Sequence, residues 1–209
     1  MSFEKIDICD IKDSFTRLIR NDWALLTAGK AGDYNTMTVS WGMTGELWGK
    51  DVVAVFVRPQ RYTYEFMEKY GDFTLSFFGG EYKKALSFCG AKSGRDYDKA
   101  KECNLSAVEL GGSVAFEEAN LIIACKKIAF ADMDPSKFLA PEIEKNYHNG
   151  DYHRIYIGEI TEVCKNSSTP VPVSSAARLR NAGSSSPFSS PITRLLVYII
   201  AFTPFLPVL

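Results

Sequence analysis

The chain has 209 residues and a formal charge of −1, which gives no electrostatic case for nucleic acid or an anionic membrane surface as a partner. Its length holds one large domain or two small ones, either able to bury enough apolar surface to fold unaided. The near-neutral average hides a break, because every Asp, Glu and Lys lies in residues 1–165, and beyond them only Arg178, Arg180 and Arg194 are charged.

In chain order, "MSFEKIDICDIKDSF" interrupts its apolar positions with charges and so lacks the continuous apolar core of a secretory signal. "IKDSFTRLIRNDW" places Ile11, Phe15, Leu18 and Ile19 at helical spacing and predicts a short amphipathic helix. "WALLTAGK", "NTMTVSWG" and "DVVAVFVRP" read as consecutive strands separated by Gly- and Asp-containing turns. In "NTMTVSWG" a period of two puts Asn35, Met37, Val39 and Trp41 on one face and Thr36, Thr38, Ser40 and Gly42 on the other. The second face is short and hydroxylated, where a solvent-facing strand would carry longer charged groups, so a small, rigid, polar partner is expected against it. "RYTYEFMEKYGD" predicts a helix ending at Gly71, and "DFTLSFF" another strand. "EYKKALSFCG" and "RDYDKAKEC" read as short helices around the loop "GAKSG". "NLIIACKKIAFADM" and "HRIYIGEITEVC" are long β segments joined by a loop with a helical turn. Strands outnumber short helices, which predicts a mainly β fold, a β-barrel with short helices, rather than a doubly wound parallel sheet. No G-x-G-x-x-G follows a strand, so a Rossmann site has no support.

Residues 1–165 therefore read as one domain and 166–209 as a separate tail. "NSSTPVPVSSAARLRNAGSSSPFSSPITR" is Ser- and Pro-rich without period and reads as a disordered linker. "LLVYIIAFTPFLPVL" is apolar but only 15 residues long and is interrupted by Pro204 and Pro207, short of the roughly 20 that span a bilayer. Out-of-frame or fused foreign sequence explains the abrupt change of composition more simply than an anchor, and no membrane association is expected.

Five cysteines, Cys9, Cys89, Cys103, Cys125 and Cys164, are odd in number, widely spaced and without a CxxC pair. They read as reduced packing residues of a cytoplasmic protein rather than a disulfide framework or zinc site. Arg58 and Arg61 stand where a strand runs into a helix whose first turn holds Tyr62 and Thr63; this corner suits a phosphate or is simply a basic surface. In "CGAKSGRDYDK", Gly90 and Gly94 with Ser93 and the charges of Lys92, Arg95 and Lys99 offer a second cradle, while Ser93-x-x-Asp96 equally fits a helix capping box. His148 and His153 are the only histidines, neither has partners at metal-ligand spacing, and His153 at a strand start reads as exposed. No G-x-S-x-G nucleophile is present.

Taken in order, "NTMTVSWG", "VRPQRYTYEF", "FTLSFF", "CGAKSGRDYDK" and "YHRIYIGEI" resemble the flavin reductase-like proteins of the FMN-binding split-barrel superfamily, over about residues 10–164. The resemblance implies FMN held by Asn35, Thr36, Met37, Thr38 and Ser40, with Arg58, Arg61, Tyr62 and Thr63 at its phosphate or ribityl end and Ser93, Gly94 and Lys99 in a flexible loop. It sets His153 beside a nicotinamide, although the familiar "GDH" here reads "GDYH", with Tyr152 inserted. It further implies hydride transfer from NADH or NADPH to flavin N5, with no catalytic nucleophile or base. The alternative it leaves open is a flavoredoxin-like carrier that takes electrons from a protein partner. A homodimer is expected on the same analogy.

Overall fold

Alternating apolar and β-branched residues need a pleated surface on which to pack, and ten strands form among the residues described by the computed structural model, 3–167. They are β1 (Phe3–Lys5), β2 (Ala24–Lys30), β3 (Asp33–Val39), β4 (Gly42–Leu47), β5 (Lys50–Val57), β6 (Asp72–Phe77), β7 (Ala107–Leu110), β8 (Ser113–Phe116), β9 (Leu121–Asp132) and β10 (Arg154–Asn166). Seven of them pair antiparallel in the order β3-β2-β6-β9-β10-β5-β4, and β1 adds to the end of β10. The tight turns at Trp48–Gly49 and Gly111–Gly112 hold both central residues at positive φ, the turn whose twist matches that of the flanking strands.

Strands from both ends of this sheet share one core. Met37 and Val39 of β3 cluster with Val53, Val55 and Val57 of β5, Leu75 and Phe77 of β6, Ile123 of β9 and Tyr156 of β10. The sheet therefore curls on itself into a barrel, but β3 and β4, joined by Ser40 and Trp41, do not pair and leave a seam. Helix α1 (Phe15–Arg17) and the π-helical turn Leu18–Asp22 pack beside it, with Phe15 and Ile19 against Gly42. Helix α2 (Tyr62–Lys69) contributes Phe66 and Met67 to the core. A second apolar layer joins α3 (Lys83–Ala91), α4 (Lys99–Glu102) and the β7-β8 hairpin to the outer face of β2 and β9, through Leu25, Leu86, Ala100, Phe116 and Ile122.

The mainly β barrel with short helices matches the expected fold class, and the differences are local. The strand expected to reach Gly42 stops at Val39, because the chain bends at Ser40–Trp41 and starts β4, an element the sequence did not announce. The β7-β8 hairpin was also not anticipated. The first helix breaks into one turn of α1, capped by the Ser14 hydroxyl, and the π turn. Helix α2 ends at Lys69 with Tyr70, not Gly71, as its C-cap. Helix α4 is capped by Asp98, so Ser93 does not start a helix: its hydroxyl accepts from Arg95 N and its carbonyl from Asp96 N and Tyr97 N, closing a turn. The expected tail lies outside the described residues except for its first two, and buried Asn166 completes β10. Among the described residues no helix is long and apolar enough to cross a membrane.

The register of β9 and β10 shifts at Ile157/Gly158 and again at Ile160/Glu162, which bends the two longest strands around the core. At Gly158 a Cβ would lie 2.6 Å from the Phe73 ring and 2.8 Å from Cys125 Cβ. Gly158→Ala is expected to lower unfolding stability by about 1–3 kcal/mol in chemical denaturation. Gly45→Ala, at a site with nothing within 4 Å, should change it by less than about 0.5 kcal/mol.

Candidate functional site

An edge strand exposes main-chain N–H and C=O groups that must find partners elsewhere. On β3 the Thr36 carbonyl accepts from Lys99 Nζ at 2.8 Å, so Thr36 turns its main chain away from β2. Alternate residues of an antiparallel edge do the same, and Thr38 therefore aims its N–H and C=O into the seam. Lys99 also donates to Cys89 O at 2.9 Å; it is buried, and desolvation pulls its pKa below the ordinary lysine value. The Cys89 thiol, 3.8 Å from that of Cys103, is pushed up to about 12 by burial and stays protonated.

The hydroxyl face of β3 is used differently from the expectation. Thr36 Oγ1 accepts from Thr27 at 2.9 Å and donates to Leu26 O, while Thr38 Oγ1 donates to Leu86 O. Helix α3 covers this face so closely that a Cβ on Gly90 would lie 3.2 Å from Thr38 Cβ. The chain itself is thus the partner of the Thr36 and Thr38 side chains, and what stays open is the strand edge running to Ser40.

Two adjoining cavities follow that edge. One, of about 220 Å³, is lined by Met37, Thr38, Val39, Ser40, Trp41, Phe56, Arg58, Arg61 and His153. The other, of about 120 Å³, is lined by Met37, Gln60, Arg61, Tyr62, Thr63, Cys89, Ala91, Lys92, Ser93 and Lys99. They share Met37 and Arg61 in their lining and together are termed the groove, with Trp41, Phe56 and His153 marking its aromatic end and Lys92 and Lys99 its cationic end. Beyond Ser40 and Trp41 it opens into a wider hollow of about 550 Å³ bordered by Ile19, Arg20, Trp23 and Met133.

Of the residues singled out in the sequence, Asn35, Thr36 and Gly94 do not line the groove but build its wall. Asn35 Nδ2 donates to Thr63 Oγ1 at 2.7 Å, and a Cβ on Gly94 would lie 1.9 Å from Asn35 Oδ1 and 3.1 Å from the Tyr62 ring. The absent side chain at Gly94 is what lets the loop close onto β3. Arg61 donates to Gly90 O at 2.9 Å and keeps further N–H groups for the groove. Arg58 is committed elsewhere: it pairs with Asp151 at 2.5 Å, donates to Asn146 O at 2.8 Å and lies 5.1 Å over the Tyr147 ring. Lys92, read in the sequence as a source of charge in its loop, does line the second cavity, whereas Trp41, Phe56, Gln60, Tyr147 and Asp151 were missed. Nothing in their local spacing marks them, because β5 and the 133–152 loop reach the seam only through the barrel.

His153 is not the exposed residue expected at a strand start. It is 7% exposed, its Nδ1 lies 2.9 Å from Tyr147 Oη, and its ring packs on Trp41 at 5.1 Å between centroids. Burial, then the positive charge of Arg58, lowers its pKa to about 4, so it is neutral at pH 7.

Fold and groove define a split antiparallel barrel with a ligand-sized channel along its seam. The chain belongs to the flavin reductase like domain family, whose domain matches residues 16–176. Among solved structures it is similar to flavoredoxin from Methanosarcina acetivorans, at 21% identity over 80% of this chain and 78% of that one, with a TM-score of 0.57. Flavoredoxin of Desulfovibrio vulgaris (Miyazaki F) is similar at 20% identity over 79% and 78%, with a TM-score of 0.56. An FMN-binding domain of a flavin reductases-like enzyme from Shewanella baltica OS155 gives 18% identity over 78% and 77%, with a TM-score of 0.56. At these identities the likeness carries the fold alone. A comparison with curated proteins returned no match.

Because the folded His153 pKa lies below the unfolded value of about 6.5, the unfolded chain takes up this proton first and stability falls as the pH drops from about 6.5 towards 4. Between pH 7 and pH 5 this residue should cost about 2 kcal/mol of stability. Denaturation of His153→Gln at both pH values should show that component missing, and the His153 ring resonances should stay in their neutral position down to about pH 5.

Proposed function

We propose that the groove binds FMN and that the protein is an NAD(P)H-dependent flavin reductase. The observation that supports this reading is a pair of adjoining cavities along the edge of β3, one lined by Trp41, Phe56 and His153 and the other by Lys92, Ser93 and Lys99, with Arg61 in both, which suits a planar ring joined through a polyol to a phosphate. Main-chain groups of Thr38 on the strand edge and the neighbouring Ser40 would meet the polar rim of the ring, between Met37, Val39, Trp41 and Phe56. Arg61, Lys92, Ser93 and Lys99 would hold the ribityl phosphate by charge-assisted hydrogen bonds. Bound FMN supplies the hydride-accepting chemistry, with NADH or NADPH as donor, and the protein's work is to align the reactants and exclude water. Neutral His153 and the paired Arg58 suit that role, since neither has to act as nucleophile or strong base.

The purified protein should be yellow or should take up added FMN, with the flavin reduced within seconds of anaerobic mixing with NADH or NADPH. Colourless protein that binds no FMN would end this reading. Flavin that binds yet stays oxidised for minutes would make the protein a flavoredoxin-like carrier served by a protein electron donor. Arg61→Ala should weaken FMN binding about 10- to 100-fold in a fluorescence titration, the range for loss of a charge-assisted hydrogen bond.

A homodimer is the assembly we favour. The outer edges of β3 and β4 are unpaired within the sheet, and Trp41 and Met43 at the start of β4 and Trp48 in the turn at its end are 44%, 58% and 64% exposed. Sedimentation should give twice the chain mass, and Met43→Glu together with Trp48→Glu should shift it towards the monomer. The five cysteines, all free, agree with a reducing cytoplasm.

A further inference from the structure

We propose that Tyr147 is a positioning residue that holds His153 in the tautomer protonated on Nε2, so that a neutral imidazole offers an N–H donor to an acceptor atom of the ligand in the groove. Tyr147 Oη stands 2.9 Å from His153 Nδ1 and 3.1 Å from Met133 Sδ. The hydroxyl has one proton and two candidate acceptors. An imidazole nitrogen is a far stronger acceptor than a thioether sulfur, so the proton goes to Nδ1 and the ring's own proton must sit on Nε2. Among the described residues Nε2 has no hydrogen-bond partner, and the ring lines the aromatic end of the groove.

Both members of the pair are held. The His153 ring contacts Trp41 at 5.1 Å, Tyr147 at 5.5 Å and Phe56 at 6.3 Å, and its carbonyl accepts from Met133 N at 3.0 Å. Tyr147, 4% exposed, is packed by Phe138 and Tyr152 and lies under the Arg58 guanidinium. The charges facing the histidine are Arg58, Arg61 and Asp151, and the carboxylate is occupied by Arg58 and Gln60. Two cations beside a buried ring oppose a second proton, which keeps His153 a hydrogen-bond donor rather than an acid. The ligand atom it suits is a carbonyl oxygen or an unprotonated ring nitrogen. That the acceptor belongs to flavin or nicotinamide rests on the proposed function, but the tautomer does not.

Long-range proton–nitrogen spectra of the full-length, 15N-labelled protein without ligand should show the Nε2–H pattern for His153, assigned by its loss in His153→Gln. The Nδ1–H pattern would mean that Tyr147 donates to Met133 and would overturn the proposal. Tyr147→Phe should abolish the single-tautomer pattern and Met133→Leu should leave it intact; an unchanged pattern in Tyr147→Phe also overturns it. With FMN and NADH as probes, His153→Leu should lower kcat/KM at least tenfold, and His153→Gln, which restores an N–H donor, should recover part of the loss. No loss in His153→Leu would refute the donor role. Failure of the wild-type protein to bind FMN would remove the flavin reading while the ligand-free spectra still decided the tautomer.

Discussion

Two strands that follow one another in the chain, β3 and β4, stand at opposite ends of the same sheet. That constraint creates the site. Had Ser40–Trp41 formed a tight hairpin, the two strands would have paired and each would have satisfied the other's main chain. Instead the connection bends, the barrel closes around its core everywhere except along this seam, and a row of β3 main-chain groups is left for other partners. Phe15 and Ile19 fill the space beside the bend, against a glycine that has no side chain to repel them.

Lys99 shows how the cationic end of the groove is kept in order. Its ammonium is buried without a carboxylate and is held by the carbonyls of Thr36 and Cys89, which ties α4, the end of α3 and the open edge of β3 to one point. Burying a cation against two neutral acceptors is unfavourable compared with full hydration, consistent with the depressed pKa of this lysine. An anion in the adjoining cavity would relieve part of that cost. At the other end the positive charge of Arg58 is already matched by Asp151, and the histidine beside it is neutral. The groove thus gathers Lys92 and Lys99 at one end and sets Trp41, Phe56 and neutral His153 beside the Arg58–Asp151 pair at the other, with Arg61 between them.

The 133–152 loop connects these features to the mouth of the barrel. Arg58 and Gln60 grip Asp151 from the strand-to-helix corner, and Tyr147, beneath the Arg58 guanidinium, reaches the histidine. Residues distant in sequence are assembled here because β9 and β10 pair along their length and close the ends of the loop on each other, while β10 in turn pairs with β5.

Local pattern was sufficient for the runs that became β2, β5, β6, β9 and β10, for helices α2 and α3, and for the groups of residues that carry charge or hydroxyls around Arg61, Ser93 and Thr38. Alternation and helical spacing are properties of neighbouring residues, and they survive folding wherever packing agrees with them. Other features were decided only in three dimensions. The alternation of β3 showed that Thr36 and Thr38 share a face but not that α3 would cover it, since the covering helix lies about 50 residues further on. Trp41 looked like a strand residue until the bend placed it at the mouth, and His153 looked exposed because its aromatic neighbours come from the seam, from β5 and from the loop. Which side chains the sequence makes available was written in composition and spacing. Which of them face an open edge, and which are spent on the protein's own backbone, depended on long-range strand pairing that no local window contains.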